Sequence, residues 1–372
     1  MIVGTPREIK NHEYRVGLTP AGVHALVGAG HEVLIERDAG LRVGFPDAAY
    51  AEAGAKITDD AAQIYGRAEL VVKIKELQPS ECALARPGQI LFCYHHLAPD
   101  PELARRMIEA GVTCLAYETV TDGHGGLPLL APMSRVAGRL APQMAAWSLQ
   151  MANGGSGLLL GGVPGVPPAR VVVIGAGTVG TNATQIAVGM GADVTLLGRG
   201  TARLDDVDRI YRGRVKTCVS DPLALAEHVA AADVVIGAVL VPGKRAPQLI
   251  PRSLLRRMRP GSVLVDVSID QGGIAETSRP TTHSDPIYVE AGVVHYCVAN
   301  MPGACARTST LALAQATLPY AVALANDGLR PAVQRDAGLK EGLQIHDGKV
   351  THAGLAQDLG RPCVSPDAAL GL

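Results

Sequence analysis

The sequence lacks an excess of charge of either sign. Its 34 Lys and Arg residues and 35 Asp and Glu residues leave a formal net charge of -1 over 372 residues. Proteins that bind nucleic acid or an anionic membrane surface usually carry a positive field that attracts phosphate groups. We therefore expect a small-molecule substrate, with neither nucleic acid nor a membrane as a partner.

The sequence also lacks a long apolar run. Residues 157–166 are interrupted by glycine and proline, well short of the about 20 apolar residues that a membrane-spanning helix needs. The first eight residues, MIVGTPRE, already carry charge and show no apolar stretch of the kind found in a signal peptide. We therefore expect a cytoplasmic protein.

A third absence concerns metal-binding cysteine patterns. The seven cysteines form an odd set without a CxxC pair, and most lie in apolar, strand-like runs. Buried, reduced thiols explain this distribution best. A zinc site or a catalytic cysteine is the weaker alternative, so we predict no metal.

The composition that is present suits packed domains. Apolar residues make up 47% and charged residues 19% of the chain. A length of 372 residues exceeds what one core usually supports. Two domains are therefore expected.

Short apolar runs alternate with helical patterns in two series along the chain. The predicted strands are residues 2–3, 31–36, 70–75, 89–96 and 112–119, then 170–174, 192–197, 214–219, 233–239, 262–268 and 293–299. Thr19 followed by Pro20 predicts the start of the first helix. This alternation predicts the α/β class, with two doubly wound and mainly parallel sheets.

The domain boundaries follow from a helical pattern at residues 132–151 and a Gly/Pro-rich loop at 161–168. We predict a substrate and catalytic domain formed by residues 1–130 with 305–372, and a Rossmann dinucleotide-binding domain at 131–304. The C-terminal part contains a helical run at 308–326 and a hairpin turn at Asp347-Gly348. The long helices would form the hinge of an interdomain active-site cleft.

A glycine fingerprint marks the dinucleotide site. Residues 175–180 (GAGTVG) follow a β-branched run and open a helical pattern. The first glycine permits a tight turn, the second lets backbone approach the pyrophosphate, and the third permits close helix packing. The phosphates would lie at the helix N-terminus, so Gly175, Gly177, Thr178, Val179 and Gly180 are predicted to contact a nicotinamide dinucleotide.

The next strand ends without the acid that usually binds the ribose of NAD. Its last positions are Gly198 and Arg199, and Arg203 follows. A carboxylate there would repel the 2′-phosphate of NADP, whereas guanidinium groups could bind it. We therefore favour NADP as the cofactor, with NAD as the alternative.

With the fingerprint in place, the whole chain resembles the alanine dehydrogenase family, within the wider group that includes the NAD-binding subunit of proton-translocating transhydrogenase. The resemblance is carried by residues 4–16 (GTPREIKNHEYRV), 72–76 (VKIKE), 96–98 (HLA), 117–119 (YET), 130–140 (LAPMSRVAGRL), 237–243 (GAVLVPG), 269–273 (IDQGG), 278–282 (SRPTT) and 298–302 (VANMP). The chain departs from the family at Gly198, where Asp is usual, at Arg135, where an acid is usual, and at His95, where an apolar residue is usual.

The resemblance implies roles for individual residues. Arg15 and Lys75 would bind substrate, and His96 and Asp270 would form the acid/base pair. The implied cofactor contacts outside the glycine loop are Ser134, Arg203, Ser220, Val239, Leu240, Asp270, Arg279, Val298 and Asn300. The resemblance also implies a homohexamer.

These residue types suit reversible, nicotinamide-dependent oxidative deamination of L-alanine to pyruvate and ammonia. Arg15 could hold a carboxylate bidentately, and Lys75 could hydrogen-bond the carbonyl oxygen. Imidazole exchanges protons near neutral pH, which suits His96, and Asp270 would activate ammonia or stabilise an iminium. Tyr94 and Met133 are expected to line the substrate pocket.

Two alternatives stay open at this point. The same chemistry could act on a different 2-oxo acid or amine, because the sequence does not give the size of the pocket. The chain could also be a nucleotide-binding subunit of the transhydrogenase type, without an organic substrate.

Overall fold

The computed structural model describes residues 1–240 and 245–372, so the last three positions of the 237–243 motif lie outside the described residues. The chain divides into two compact units. The first comprises Met1–Met133 with Cys305–Leu372, and the second comprises Ser134–Ala304. Within the described residues, no helix is both long enough and apolar enough to cross a membrane.

The strands of the described residues are short and buried for most of their length. In chain order they are β1 (Ile2–Thr5), β2 (Glu32–Glu36), β3 (Lys56–Thr58), β4 (Leu70–Val72), β5 (Ile90–Cys93), β6 (Thr113–Ala116), β7 (Arg170–Ile174), β8 (Asp193–Gly198), β9 (Val215–Val219), β10 (Val234–Gly237), β11 (Val263–Asp266), β12 (Ile287–Glu290), β13 (Val293–Tyr296), β14 (Leu343–His346) and β15 (Lys349–Val350).

Helices connect most of these strands. In chain order they are α1 (Pro20–Gly28), α2 (Asp47–Glu52), α3 (Ala61–Arg67), α4 (Pro79–Cys82), α5 (Pro101–Glu109), α6 (Ala131–Ser148), α7 (Thr178–Gly189), α8 (Thr201–Tyr211), α9 (Pro222–Ala231), α10 (Arg252–Leu255), α11 (Ala306–Asp327), α12 (Leu329–Arg335), α13 (Ala337–Glu341), α14 (Ala353–Leu359) and α15 (Pro366–Leu370). Short 3-10 segments supplement them, among them Val267–Gln271 after β11.

The first unit is built on an eight-stranded sheet in the order β15-β14-β6-β5-β4-β1-β2-β3. Strands β6 to β3 in this order are parallel, whereas β14 and β15 are antiparallel. The strand order reverses between β4 and β1. In a doubly wound sheet, ligands bind at such a reversal, beyond the carboxyl ends of the strands.

The second unit is built on a seven-stranded sheet in the order β12-β13-β11-β10-β7-β8-β9. Among the strands of this unit that the structure describes, β12 alone is antiparallel, pairing with β13 at one edge. The reversal lies between β7 and β10, and the glycine fingerprint follows β7 directly. Two doubly wound sheets of mainly parallel strands confirm the predicted fold class.

Local sequence signals appear in the structure where they were predicted. The Thr19 side chain caps α1 by accepting a hydrogen bond from the backbone N of Gly22, with Pro20 at the first helical position. Asp347 and Gly348 both have positive φ angles and connect β14 to antiparallel β15. Each signal acts within a few residues, which explains why sequence alone identifies it.

The apolar runs are longer than the strands they contain. The runs at 70–75 and 89–96 yield only β4 (Leu70–Val72) and β5 (Ile90–Cys93). Beyond these strands, carboxylate side chains accept hydrogen bonds from the backbone N–H groups of residues 74, 75, 95 and 96. The chain therefore leaves the sheet ladder at the positions where the predicted site residues stand.

Candidate functional site

In the first unit, the predicted substrate residues follow three strands that are neighbours in the sheet. Arg15 lies in the loop after β1, Lys75 in the loop after β4, and His96 in the loop after β5. These strands are parallel, so their carboxyl ends meet at one edge. The sheet brings the three residues to that edge.

Arg15 is buried, and its guanidinium is engaged by a carboxylate from the same loop. Its Nε lies 2.7 Å from Glu13 Oε1 and its Nη2 lies 2.5 Å from Glu13 Oε2, and both side chains are at most 1% exposed. Burial alone would lower the pKa of Arg15, but Glu13 raises it above its ordinary value. The Nη1 group donates to the Met133 sulfur at 3.0 Å.

The ion pair with Glu13 determines the orientation of the Arg15 guanidinium. The Nε–Nη2 edge already makes a bidentate contact with Glu13, and such a pair fixes the plane of the guanidinium. The edge that carries Nη1 faces Met133, a residue predicted to line the substrate pocket. Glu13 therefore holds the Nε–Nη2 edge of the guanidinium, and Nη1 lies against the Met133 sulfur.

Lys75 stands beside a buried cluster of ionic groups. Lys73 Nζ lies 2.8 Å from Glu8 Oε2 and 3.2 Å from Glu81 Oε1. Burial opposes the charge on Lys73, but the two carboxylates raise the pKa of its ammonium above its ordinary value. Lys73 is a structural cation within the fold, whereas Lys75 is only half-buried.

His96 has an unusual backbone conformation and two carboxylate partners. Its φ angle is +46°, in the left-handed region that non-glycine residues seldom adopt. Its backbone N donates to Glu118 Oε1 at 2.7 Å, and its Nδ1 lies 3.1 Å from Glu76 Oε2. The side chain is 41% exposed, so the ring is held at one nitrogen and accessible to a substrate.

Glu76 is the carboxylate that faces the His96 ring. Burial alone would raise the pKa of Glu76, but the hydrogen bond from His96, the charge of Lys75 and the contact with Lys10 together lower it well below its ordinary value. An ionised carboxylate at Nδ1 favours the tautomer that carries its proton there. In that tautomer the Nε2 atom of His96 carries the lone pair.

The neighbours of His96 in the sequence are buried. The Tyr94 hydroxyl donates to the backbone oxygen of Leu129 at 2.6 Å, and its ring centroid lies 5.9 Å from that of His96. The His95 ring lies against the backbone oxygen of Leu91, and burial lowers its pKa. His95 therefore packs in the core, and Tyr94 supports the His96 ring from one side.

In the second unit, the glycine loop has the shape that a pyrophosphate needs. Gly175 has a φ angle of +113°, and a Cβ atom there would lie 2.4 Å from the Ala238 backbone oxygen. A Cβ at Gly180 would lie 1.7 Å from the Gly175 oxygen, whereas one at Gly177 would meet no described atom within 4 Å. The turn is closed on the protein side and open above Gly177, where α7 begins at Thr178. The residues present therefore fit a dinucleotide.

The strand that would face the adenosine ribose ends without an acid. Gly198 is buried, and a Cβ there would lie 3.0 Å from Leu204 Cδ2 and 3.1 Å from Ala176 Cβ. Arg199 is exposed, and Arg203 Nη1 donates to the Ala176 backbone oxygen at 3.4 Å, beside the glycine loop. The Ser220 backbone N donates to the Gly198 oxygen at 2.8 Å, which joins the ends of β8 and β9.

Asp270 lies in the 3-10 segment after β11, with its side chain exposed. The segment is anchored by buried Asp266, which accepts hydrogen bonds from the backbone N of Ser268 at 3.1 Å, the backbone N of Ile274 at 2.8 Å and the Ser278 hydroxyl at 2.6 Å. Burial raises the pKa of Asp266 despite these donors. Asp266 holds the turn, and Asp270 projects from it.

The remaining predicted cofactor residues of the second unit lie in α6 or in the loops that follow β10, β11 and β13. Ser268 Oγ contacts both the backbone N of Val239 at 3.0 Å and its oxygen at 2.8 Å, which joins the ends of β10 and β11. Arg279 packs its guanidinium 3.8 Å from the centroid of the Tyr288 ring. Ser134 lies in α6, Leu240 is exposed, Val298 is buried, and Asn300 has a φ angle of +63°.

The cysteine and metal predictions concern the whole chain. All seven cysteines are free thiols, and Cys93, Cys114 and Cys297 are buried. Residues 1–240 and 245–372 contain no cluster of three or more His, Cys, Asp or Glu side chains arranged to hold a metal ion. The absence of a metal from the reaction stays a prediction.

Sequence reasoning missed the carboxylates that hold the site together. Glu8, Glu13, Glu76 and Glu118 each contact a predicted site residue or its backbone. Glu8 and Glu13 lie within the 4–16 motif, Glu76 within 72–76 and Glu118 within 117–119. Their membership of these motifs was the available signal, but an acid in a motif does not identify its partner.

Comparisons with known proteins agree over the whole chain. Two family models match: Alanine dehydrogenase/PNT, N-terminal domain, over residues 4–137, and Alanine dehydrogenase/PNT, C-terminal domain, over residues 141–353. The alanine dehydrogenase of Halomonas elongata is 54% identical over 371 residues, covering 100% of both chains. A solved L-alanine dehydrogenase is 48% identical with a TM-score of 0.94, covering 97% of this chain and 99% of that one. A transhydrogenase from Sinorhizobium meliloti is 27% identical with a TM-score of 0.80, covering 95% of this chain and 99% of its own.

Proposed function

Because the chain belongs to the alanine dehydrogenase/PNT family, we propose that it catalyses the reversible oxidative deamination of L-alanine to pyruvate and ammonia. The protein is a nicotinamide-dependent enzyme of the alanine dehydrogenase type. The observation that carries the substrate assignment is the placement of Arg15, Lys75 and His96 at the edge of one sheet. Reductive amination of a 2-oxo acid requires a group that binds the carboxylate, a cation that hydrogen-bonds the carbonyl oxygen and a group that transfers protons.

Arg15 binds the substrate carboxylate in this proposal. Glu13 holds the guanidinium plane, so Nη1 and its edge remain oriented toward the side of Met133. The Arg15–Glu13 ion pair has no net charge. Binding of the substrate carboxylate therefore relies mainly on the directed N–H groups of Arg15. Tyr94 and Met133 line the pocket and limit the size of the side chain that it accepts.

Lys75 donates a hydrogen bond to the carbonyl oxygen of pyruvate and stabilises the negative charge that develops on it. His96 gives a proton to that oxygen from Nε2 in the amination direction and accepts it in the deamination direction. Glu76 stabilises the imidazolium state through Nδ1. Asp270 is proposed to activate ammonia or to stabilise the iminium that precedes alanine.

The second unit holds the dinucleotide. Its glycine loop, from Gly175 to Gly180, would receive the pyrophosphate, and Val239, Arg279 and Asn300 are proposed to contact the rest of the cofactor. The bound nicotinamide supplies reversible hydride transfer at the substrate Cα. We assign the first unit to substrate and catalysis and the second to the cofactor.

We propose a preference for NADP(H) over NAD(H). At the end of β8, Gly198 supplies no carboxylate to repel a 2′-phosphate, Arg199 is exposed, and Arg203 lies beside the glycine loop. Each charge-assisted hydrogen bond to a phosphate is worth about 1.5–3 kcal/mol. Two such bonds would favour NADP(H) by at least tenfold.

A substrate panel tests the function. The purified chain is incubated with reduced cofactor, ammonia and a series of 2-oxo acids, and oxidation of the cofactor is followed by absorbance. We expect the highest kcat/KM with pyruvate. A higher value with a larger oxo acid, or with a primary amine in place of ammonia, would change the substrate, and no turnover with any oxo acid would favour the transhydrogenase-type subunit.

Two further expectations concern the protein in the cell, namely a homohexamer and a cytoplasmic location. Both come from the sequence and the family resemblance. Light scattering on the purified protein measures the assembly directly.

A further inference from the structure

Glu8 holds the main chain of the segment that carries Lys75. Its Oε1 atom accepts hydrogen bonds from two successive backbone N–H groups, that of Ile74 at 2.6 Å and that of Lys75 at 3.3 Å. Its Oε2 atom lies 2.8 Å from Lys73 Nζ. The residue is only 8% exposed, so all three contacts are made away from solvent.

Stability alone does not explain this arrangement. The cluster contains two carboxylates, Glu8 and Glu81, around the one ammonium of Lys73. Burial of such ions costs about as much as their attraction returns, and apolar residues of similar size would often serve the fold equally well. Burial also raises the pKa of Glu8, which marks the cost of keeping this carboxylate inside.

The backbone contacts distinguish Glu8 from Glu81. Glu81 contacts Lys73, the Tyr65 hydroxyl at 3.2 Å and the backbone N of Gln78 at 2.8 Å. Glu8 instead reaches Ile74 and Lys75, which follow the end of β4. The Ile74 oxygen still accepts a hydrogen bond from the Tyr94 N at 3.0 Å, but the N–H groups of both residues are bound by Glu8. Glu8 therefore binds the backbone N–H groups that the neighbouring strand does not bind.

We propose that Glu8 is a positioning residue for Lys75, fixing its backbone so that its ammonium is presented to the substrate carbonyl. This proposal rests on the function assigned to Lys75 above. Glu8 belongs to the same loop as Arg15, so one loop orients both groups that bind the substrate. A displacement of about 1 Å at a reacting group lowers a rate by about 10²-fold.

The first experiment compares Glu8→Met with Glu81→Met as the matched control. Each variant removes a buried carboxylate from Lys73, together with its charge and its acceptor oxygens, while keeping a side chain of similar length, but only the first removes the contacts to residues 74 and 75. We expect Glu8→Met to lower kcat for pyruvate amination by about 10²-fold. Glu81→Met should lower kcat much less while lowering Tm to a similar extent. Equal losses of kcat in both variants would overturn the proposal.

The second experiment is a double-mutant cycle with Lys75→Ala. If Glu8 acts through Lys75, Glu8→Met has no further effect on kcat/KM once the lysine side chain is gone. A full multiplicative loss in the double variant would overturn the positioning role alone. Parental activity of Lys75→Ala would overturn the function assigned to Lys75 and this proposal with it, so the two failures are distinguishable.

A conservative variant covers the case in which Glu8→Met does not fold. Glu8→Asp keeps the charge beside Lys73 but withdraws the carboxylate from the backbone N–H groups by one methylene. We expect a loss of kcat that again disappears in the Lys75→Ala background. Parental kcat in Glu8→Asp would overturn the proposal.

Discussion

Replacing Glu76 by Gln tests how His96 is prepared for proton transfer. The change removes the carboxylate charge 3.1 Å from Nδ1 while keeping the size of the side chain. Glu76 is ionised at neutral pH because His96, Lys75 and Lys10 outweigh its burial and lower its pKa. The amide therefore replaces a charge-assisted hydrogen bond with a neutral one.

The magnitude follows from the contact. A hydrogen bond to a charged group is worth about 1.5–3 kcal/mol and a neutral one about 0.5–1.5 kcal/mol. Their difference is about 1–2 kcal/mol, which corresponds to about 5- to 30-fold in rate because each 1.36 kcal/mol is tenfold. We expect kcat to fall by about this factor, since the imidazolium state that the carboxylate stabilises forms during proton transfer.

The assay measures kcat and KM for alanine oxidation in the parent and in Glu76→Gln at one fixed pH. The carboxylate acts on proton transfer and not on substrate binding, so kcat should fall while KM stays close to the parental value.

Lys10→Met serves as the control. It removes the outer partner of Glu76, whose side chain is 39% exposed, and exposed ion pairs contribute about 0–1 kcal/mol. This variant should change kcat by less than about fivefold. If Glu76→Gln kept a kcat within threefold of the parent, as ~0.7 kcal/mol would allow, the reasoning about His96 would be refuted.

Three further predictions concern the other assigned residues. His96→Ala and Asp270→Ala should each lower kcat by about 10²-fold or more. Dinucleotide affinity, measured by calorimetry, should stay largely unchanged. Losses of kcat of only a few-fold in both variants would remove the acid/base assignment. Arg15→Lys should raise KM for pyruvate strongly, because an ammonium group lacks the forked N–H groups of the guanidinium and the buried Glu13 carboxylate loses its bidentate partner. An unchanged KM would place the carboxylate anchor elsewhere. The ratio of kcat/KM for NADPH to that for NADH should exceed ten, as about 1.4 kcal/mol requires. Gly198→Asp should lower this ratio, because its carboxylate would repel the 2′-phosphate, although Leu204 and Ala176 must each give by a few tenths of an ångström to admit its Cβ. A tenfold preference of the parent for NADH would refute the cofactor proposal.

The strand ends show where sequence and structure diverge. The apolar run at 89–96 predicts one strand, but β5 ends at Cys93, and after Tyr94, whose N still donates to the Ile74 oxygen, the chain turns away from the ladder. Glu118, more than 20 residues further on, accepts the backbone N–H groups of His95 and His96. The hydropathy of the sequence does not predict this end of the strand, because the residues that leave the strand remain buried or half-buried.

The sequence by itself determined the features that depend on neighbours along the chain. The alternation of apolar runs and helical patterns specified two doubly wound sheets, Thr19 specified the start of α1, and Gly175 to Gly180 specified the dinucleotide turn. Periodicity, capping and turn chemistry act over a few residues, so they can be identified without a structure.

Only the tertiary structure decided which charged groups face one another. Glu8 contacts the backbone of Lys75, 67 residues away, and the Glu76 carboxylate faces His96, 20 residues away. Such pairs form because parallel strands bring the ends of distant segments to one edge of the sheet. The energy of each pair then depends on how far water is excluded, which is a property of the folded molecule and not of the local sequence.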